Sequence, residues 1–359
     1  ADDTTLDFST GVTDNSAPVL QSIQRNTPAG ETTNGSTLTF TLKFNEAVTG
    51  ADTADFQLAT SGTAGGTLSQ VTGNGTDTLT LTVTGVSGTG TLGIDLAGSQ
   101  NITDIGGNVL ASGEPATDQV FNVDRDLPTV ISINRIGNDS IVSGSSAQFL
   151  VVFSEAVTHL SAADFSLVAG GTVSGQIAAV SGEGTAAILV TVNNLAGAGS
   201  LGLALSGSHS VDDLAGNTLG VATPSSGISE TYQVDTVAPG AVSITRLGDA
   251  LTNAGSLSFQ VVFDEPVSGV DLADFVLSTT GSVTGTLSSV TGSAGSYTVN
   301  VSGVSGTGTL GLAFAGGQNI TDQGGHAFAG TLPSLAETYR VDNTPPSVVR
   351  ISAAPPASA

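Results

Sequence analysis

Leu38, Phe40, Leu42 and Phe44 alternate with Thr39, Thr41 and Lys43, and Leu79, Leu81 and Val83 keep the same period of two. That period puts every second side chain on one face, so each stretch reads as a strand with one buried side. The pattern returns at Phe149, Val151, Phe153 with Ile188, Val190, Val192. It returns again at Leu257, Phe259, Val261, Phe263 with Tyr297, Val299, Val301. Gly, Asn, Asp and Ser fill the breaks, as tight turns require. No helical period of useful length occurs. Seven strands are expected in the first third of the chain, at roughly 19–25, 37–44, 55–58, 66–71, 78–84, 91–96 and 118–123.

The spacing of these patterns is regular. Phe44-Asn45-Glu46-Ala47-Val48 returns as Phe153-Ser154-Glu155-Ala156-Val157 and as Phe263-Asp264-Glu265-Pro266-Val267, 109 and 110 residues further on. Ala54-Asp55-Phe56 returns as Ala163-Asp164-Phe165 and Ala273-Asp274-Phe275. Ile102-Thr103-Asp104 with Gly107-Asn108 returns as Val211-Asp212-Asp213 with Gly216-Asn217, then as Ile320-Thr321-Asp322 with Gly325-His326. Several anchors in one register define a repeat. Its seams read Val123-Asp124-Arg125-Asp126-Leu127-Pro128, Val234-Asp235-Thr236-Val237-Ala238-Pro239 and Val341-Asp342-Asn343-Thr344-Pro345-Pro346. A weaker copy is Thr13-Asp14-Asn15-Ser16-Ala17-Pro18. Proline fixes φ and removes a donor, so the preceding strand cannot run on.

The expected fold class is all-β: three tandem immunoglobulin-like β-sandwich domains arranged end to end. The expected divisions are an N-terminal strand or tail over 1–13, repeats over 14–124, 125–235 and 236–342, and a last segment over 343–359. That segment reads as the first strand of a further repeat followed by a Pro/Ala tail. Leu6-Asp7-Phe8-Ser9 looks like the closing strand of a preceding repeat.

Charge narrows the function classes. The 359 residues carry 31 Asp+Glu against 7 Lys+Arg, a net charge of -24. Nucleic acid and anionic membrane surfaces need a basic partner, so both are disfavoured. Divalent cations, or plain solubility, are favoured. With no Cys there is no disulfide framework and no thiolate site. No apolar run approaches the roughly 18 residues of a membrane span. Ala1-Asp2-Asp3-Thr4 shows neither the basic nor the apolar region of a secretion signal, which leaves a processed or a partial chain.

Threading an immunoglobulin-type meander through the second repeat gathers its carboxylates. Its first strand leaves the seam at Asp124 and its second returns, so Glu155, at the end of that strand, lands at the seam pole. The loop bearing Asp213 follows a strand that also returns there, and Asp126 lies in the seam. Asp164, in the connection after the second strand, falls at the same pole. The same threading gathers Asp14, Glu46 and Asp104 at the first seam and Asp235, Glu265 and Asp322 at the third. Asp342 has no partner repeat within the chain. Crowded carboxylates repel without a cation, and calcium takes six to eight oxygens in flexible geometry. Ca²⁺ is therefore the expected ligand at these seams. The plainer alternative stays open: Asp104 and its counterparts make Asx-turns. For Asp55, Asp164 and Asp274 that plainer kind of role, capping a single helical turn, is the favoured one. Arg25, Arg135 and Arg246 are expected to make structural ion pairs or hydrogen bonds.

Other signals dissolve on inspection. Gly88-Thr89-Gly90-Thr91-Leu92-Gly93 and its copy over 306–311 match GxGxxG, but each leads into a strand, not a helix. His159, His209 and His326 lie in different repeats at non-matching positions and read as surface-loop residues. Glu46 and Asp55 would make a glycosidase pair, yet 4% aromatics and no Trp leave little to stack a sugar ring. The chain is read as no enzyme.

Phe-x-Glu-x-Val, Ala-Asp-Phe, the Asp…Gly-Asn loop and Val-Asp…Pro together resemble the bacterial immunoglobulin-like tandem repeats of large cell-surface adhesins. The resemblance spans residue 14 to about 352. It implies an extracellular, cell-surface extender made of sandwiches, with calcium at the seam positions named above. Neighbouring repeats or identical subunits are then the expected partners, and any host or matrix ligand would be met by regions outside this chain. No nucleic acid and no membrane insertion are expected. Three repeats at ~3.4 Å per strand residue would span roughly 100 Å. The alternative expectation is a self-assembling subunit of an extracellular filament or surface layer joined by strand exchange.

Overall fold

In the computed structural model, which describes residues 14–352 apart from 138, 225 and 228, the first repeat folds as strands β1 (Leu20–Thr27), β2 (Thr32–Thr33), β3 (Thr37–Thr49), β4 (Phe56–Thr60) and β5 (Gly65–Thr72). They are followed by β6 (Thr76–Ser87), β7 (Gly90–Leu96), β8 (Thr103–Asp104), β9 (Thr117–Asp118) and β10 (Phe121–Val123). One sheet runs β5-β6-β3-β1-β9, with β8 against β3; the other runs β2-β10-β7-β4. All pairings are antiparallel except β1 with β9 and β10 with β2. The chain thus leaves one sheet at β1 and joins the other at β2, the edge-switching of an immunoglobulin-type sandwich. The expected strands and Leu6–Ser9 within 1–13, like the tail 353–359, lie outside the described residues.

The other two repeats copy this plan. Their sheets follow the same order, around Ser146–Thr158 with Thr185–Ala196 and around Ser256–Phe263 with Ser296–Ser305. Three separate cores result, each holding the period-two residues. Leu38, Phe40, Leu42 and Phe44 in the first, Phe149, Val151 and Phe153 in the second, and Phe259, Val261 and Phe263 in the third are buried. One edge-to-face aromatic pair recurs: Phe40–Phe121 at 5.1 Å, Phe149–Tyr232 at 5.2 Å and Phe259–Tyr339 at 5.2 Å. Where the partner is Tyr, its hydroxyl donates to Gln148 O or Ser258 O, both at 2.7 Å. The arginine beside it pairs with an acid: Arg25 with Glu31, Arg135 with Glu230 and Arg246 with Glu337. The structural role expected for these arginines is the one found.

Three expectations change. Asp55 is not the first residue of a strand; it closes a 3-10 turn over Thr53–Asp55 that precedes β4. The expected strand over 118–123 is split between the two sheets. Gln119 N still donates to Ile23 O, and Arg25 Nη1 donates to Val120 O, so the crossing is hydrogen-bonded at both ends. The second strand of the repeat does not stop near Phe44 or at Glu155. Its register against the next strand breaks between Lys43 and Val48, and between Val152 and Val157, and pairing then resumes. Glu46 and Glu155 therefore sit in a bulge, which re-aims side chains without ending a strand. In the third repeat Pro266 follows Glu265, and the named strand ends at Phe263.

Residues 343–352 form no strand, and Val348, Val349 and Ile351 there are at least 78% exposed.

Phe149→Ala should cost about 3–5 kcal/mol of the second sandwich's stability, whereas Tyr232→Phe, which keeps the ring and loses the hydroxyl's bonds, should cost about 1 kcal/mol. Denaturant unfolding followed by circular dichroism checks the ratio.

Candidate metal centres at the seams

The bulge and the short strand opposite it build the pole. Val48 and Thr49 pair with Asp104 and Thr103, and Val157 and Thr158 pair with Asp213 and Asp212. This pairing draws the loop aspartate up beside the bulge glutamate. The seam aspartate arrives from the preceding linker. Ligand atoms of Asp14, Glu46 and Asp104 come within 4.8 Å of one another, as do those of Asp124, Glu155 and Asp213. At the third seam the set is Asp235, Asp322 and His326. Glu265 stands beside that set, close enough for Asp235 and Asp322 to act on its carboxyl.

The loop and linker aspartates are held before any ion arrives. Asp104, Asp213 and Asp322 are buried, and their Oδ1 atoms accept the backbone N–H of Asn108, Asn217 and His326, all at 2.8 Å. Asp14, Asp124 and Asp235 close Asx-turns on Ser16 N, Asp126 N and Val237 N. The turn role offered as the plainer reading is thus real. A carboxylate offers about four acceptor sites, so a turn bond leaves capacity for a cation.

The electrostatics expose what is missing. Burial, then Asp14 and Asp104, push the Glu46 carboxyl above its usual range. Burial, then Asp124, Asp213 and Asp126, do the same to Glu155. For Glu265, burial, Asp235, Asp322 and Asp264 raise it to about 7 against the lowering effect of His326. Asp104 goes the other way, because the Asn108 side chain donates to its charged form. Among the described residues no Lys or Arg pairs with any seam carboxylate. At the first two seams the negative charge has no counter-ion among the described residues, and both sets offer oxygen alone. That donor set fits a hard divalent cation such as Ca²⁺.

The remaining expected residues fall differently. Asp126 is exposed and acts on Glu155 from outside the close set. Asp342 is exposed, binds Thr344 N in its own turn, and joins no cluster. Asp164 lies near the pole but is spent on structure: it is buried, and its oxygens accept Ser161 N and Ser210 N, both at 2.7 Å. Although burial works to raise it, these bonds hold its carboxyl below the usual range. Asp55 and Asp274 are capped likewise by Asp52 N and Asp271 N.

Two groups were not read as part of any site. His326, aligned by the repeat with Asn108 and Asn217, is not the surface-loop residue expected. It is half-buried, with Nδ1 at 3.2 Å from Asp322 Oδ2. Asp95, Glu114 and Asp118 form a further acidic cluster in the first repeat. Its clue was Asp95, where the other repeats carry Ala204 and Ala313.

The first two repeats also touch directly. Asn34 N donates to Ala215 O at 3.3 Å and Asn34 Nδ2 to Asn217 Oδ1 at 3.2 Å. Asn217 Nδ2 in turn donates to Asp124 O at 3.0 Å and to Asp213 Oδ2 at 2.7 Å. One amide thereby ties the linker, the preceding repeat and the candidate metal site together.

No known protein family and no curated protein matches this sequence. Solved structures do resemble the fold. The Escherichia coli adhesin FdeC is 18% identical, with 89% of this chain and 96% of that chain covered at a TM-score of 0.39. Yersinia pseudotuberculosis InvD is 14% identical, covering 90% and 97%, at 0.35. Invasin, a bacterial integrin-binding protein, is 12% identical, covering 89% and 58%, at 0.31. Identities and scores this low transfer neither ligand nor partner; the fold class, tandem all-β immunoglobulin-like sandwiches, stands on the strand order itself.

Two outcomes follow. A raised carboxyl pKa means that the folded chain holds the proton more tightly than the unfolded one. Glu265 therefore adds stability below its ordinary 4.5 and loses it as pH climbs to about 7. In chelator-treated protein the melting temperature of the third sandwich should fall across that window, and Glu265→Gln should flatten the fall in calorimetry. Asp164→Ala should cost roughly 1–3 kcal/mol with or without calcium, since its bonds are to backbone amides.

Proposed function

We propose that this chain is a non-enzymatic, extracellular structural module: an extender of a bacterial surface adhesin, stiffened by Ca²⁺ at its seams. The observation that carries the reading is the convergence of Asp124, Glu155 and Asp213 with no Lys or Arg paired to them. Asp124 directly follows the first repeat's last strand, while Glu155 and Asp213 belong to the second repeat. An ion held by all three cross-links linker and pole, and so limits the bending that the linker otherwise allows. The adhesins and invasin among the similar structures agree with a surface role in kind. Among the described residues, three of the four acidic clusters lie at the seams.

The test is small-angle scattering and calorimetry of the full chain with calcium and with EGTA. Chelation should broaden the distribution of end-to-end distances and lower the melting temperature, and Asp124→Asn with Glu155→Gln should remove that response at one seam. Identical profiles and melting curves in EGTA would overturn the reading.

A second reading, a filament subunit joined by strand exchange, is favoured by one observation. Val348 and Ile351 stand six and nine residues past their seam aspartate Asp342, as buried Val130 and Ile133 do past Asp124, yet they are 78% and 88% exposed. Concentration-dependent fibres that vanish in Val348→Asp, Ile351→Asp would support it; a monomer at every concentration removes it.

A further inference from the structure

The three seams are not chemically equal. At the first, Asn108 Nδ2 donates to Asp104 Oδ2 at 2.7 Å and to Asp14 O at 2.9 Å. At the second, Asn217 Nδ2 repeats both bonds, to Asp213 Oδ2 and Asp124 O. These amides use their hydrogens to bridge the loop aspartate to the linker carbonyl. At the third the same place holds His326. A neutral imidazole carries one N–H, and a ring nitrogen without hydrogen carries a lone pair. His326 Nδ1 lies 3.2 Å from Asp322 Oδ2. Two ligands bound at ~2.0–2.1 Å to a tetrahedral ion stand about 3.3 Å apart.

Resting on the reading that the seams hold cations, we propose that the third seam is a mixed nitrogen–oxygen site, formed by Asp235, Asp322 and His326 with Glu265 beside them, that selects a transition ion of the Zn²⁺ class over Ca²⁺. Calcium prefers oxygen throughout, whereas imidazole suits Zn²⁺, Co²⁺ and Ni²⁺. Three protein ligands plus a further carboxylate give the coordination number of a closed zinc site. The site is built, not incidental. The Asp322 side chain is 0% exposed and that of His326 26%. Asp322 Oδ1 is fixed by His326 N. Asp235 closes the second repeat's last strand, Tyr232–Asp235, so the ion would join that repeat to the third. One chain would then carry seams answering to two different metals.

The experiment uses the full chain stripped by chelator. Co²⁺ is titrated while the visible absorption is followed, and Zn²⁺ and Ca²⁺ are each tested by their shift of the melting temperature. The wild type should give the intense band of low-coordinate Co²⁺ and a Zn²⁺ shift. His326→Asn, which restores the residue of the other two repeats, should lose both while keeping its Ca²⁺ shift, which also shows that it folds. No Co²⁺ band in the wild type, or a band that survives in His326→Asn, overturns the proposal. A Ca²⁺ shift without a His326-dependent band leaves the calcium reading standing and this one fallen; a His326-dependent band without any Ca²⁺ shift does the reverse.

Discussion

Like charges brought together at the joints are the constraint around which this molecule is arranged. At the first two seams a carboxylate from the linker, one from a strand bulge and one from a loop meet at one pole of a sandwich, and at the third Asp235 and Asp322 meet His326 with Glu265 beside them. Folding cannot avoid the meeting, because the strand register that fills the core also delivers them. Val48 pairs with Asp104 as part of the same sheet that buries Leu38 to Phe44. The repulsion is therefore a cost set by the fold, and the raised Glu46, Glu155 and Glu265 are its signature. A cation is the simplest relief, and the linker carboxylate makes that relief mechanical as well as electrostatic.

Much of this was legible from sequence, for reasons that differ by element. The period-two runs had one solution, since a shift of one residue would turn Leu38 through Phe44 outward. The convergence at the poles followed from strand direction alone. What sequence did not give were the features set by local geometry. The bulge at Glu46 and Glu155 leaves no compositional mark, so those strands were read as ending there. Asp164 shares the pole with the metal candidates, and only its two backbone N–H partners show that it is already satisfied. Asp126 has the same charge and nearly the same position as Asp124, but its side chain stays in solvent.

The repeat itself concealed as much as it revealed. Matching positions drew attention to shared residues and away from departures. His326 was aligned with Asn108 and Asn217 yet set aside as a surface-loop residue because the other histidines do not match it, although those asparagines do related work. Asp95 was passed over because the other repeats carry alanine there. In a tandem array the shared residues define the fold and the joints, while single departures are where one repeat differs in chemistry from its neighbours.

The central claim, that crowded carboxylates at the joints are relieved by a bound divalent cation, is tested most directly by the protons that binding releases. Calcium titration calorimetry on metal-stripped protein, repeated near pH 6 in two buffers of different ionisation enthalpy, reads that number. The account predicts heats that depend on the buffer, from protons leaving the raised Glu46 and Glu155 carboxyls at the two all-oxygen seams, with the dependence fading as pH rises and those carboxyls ionise. Calcium heats that are absent, or identical in the two buffers, would contradict it.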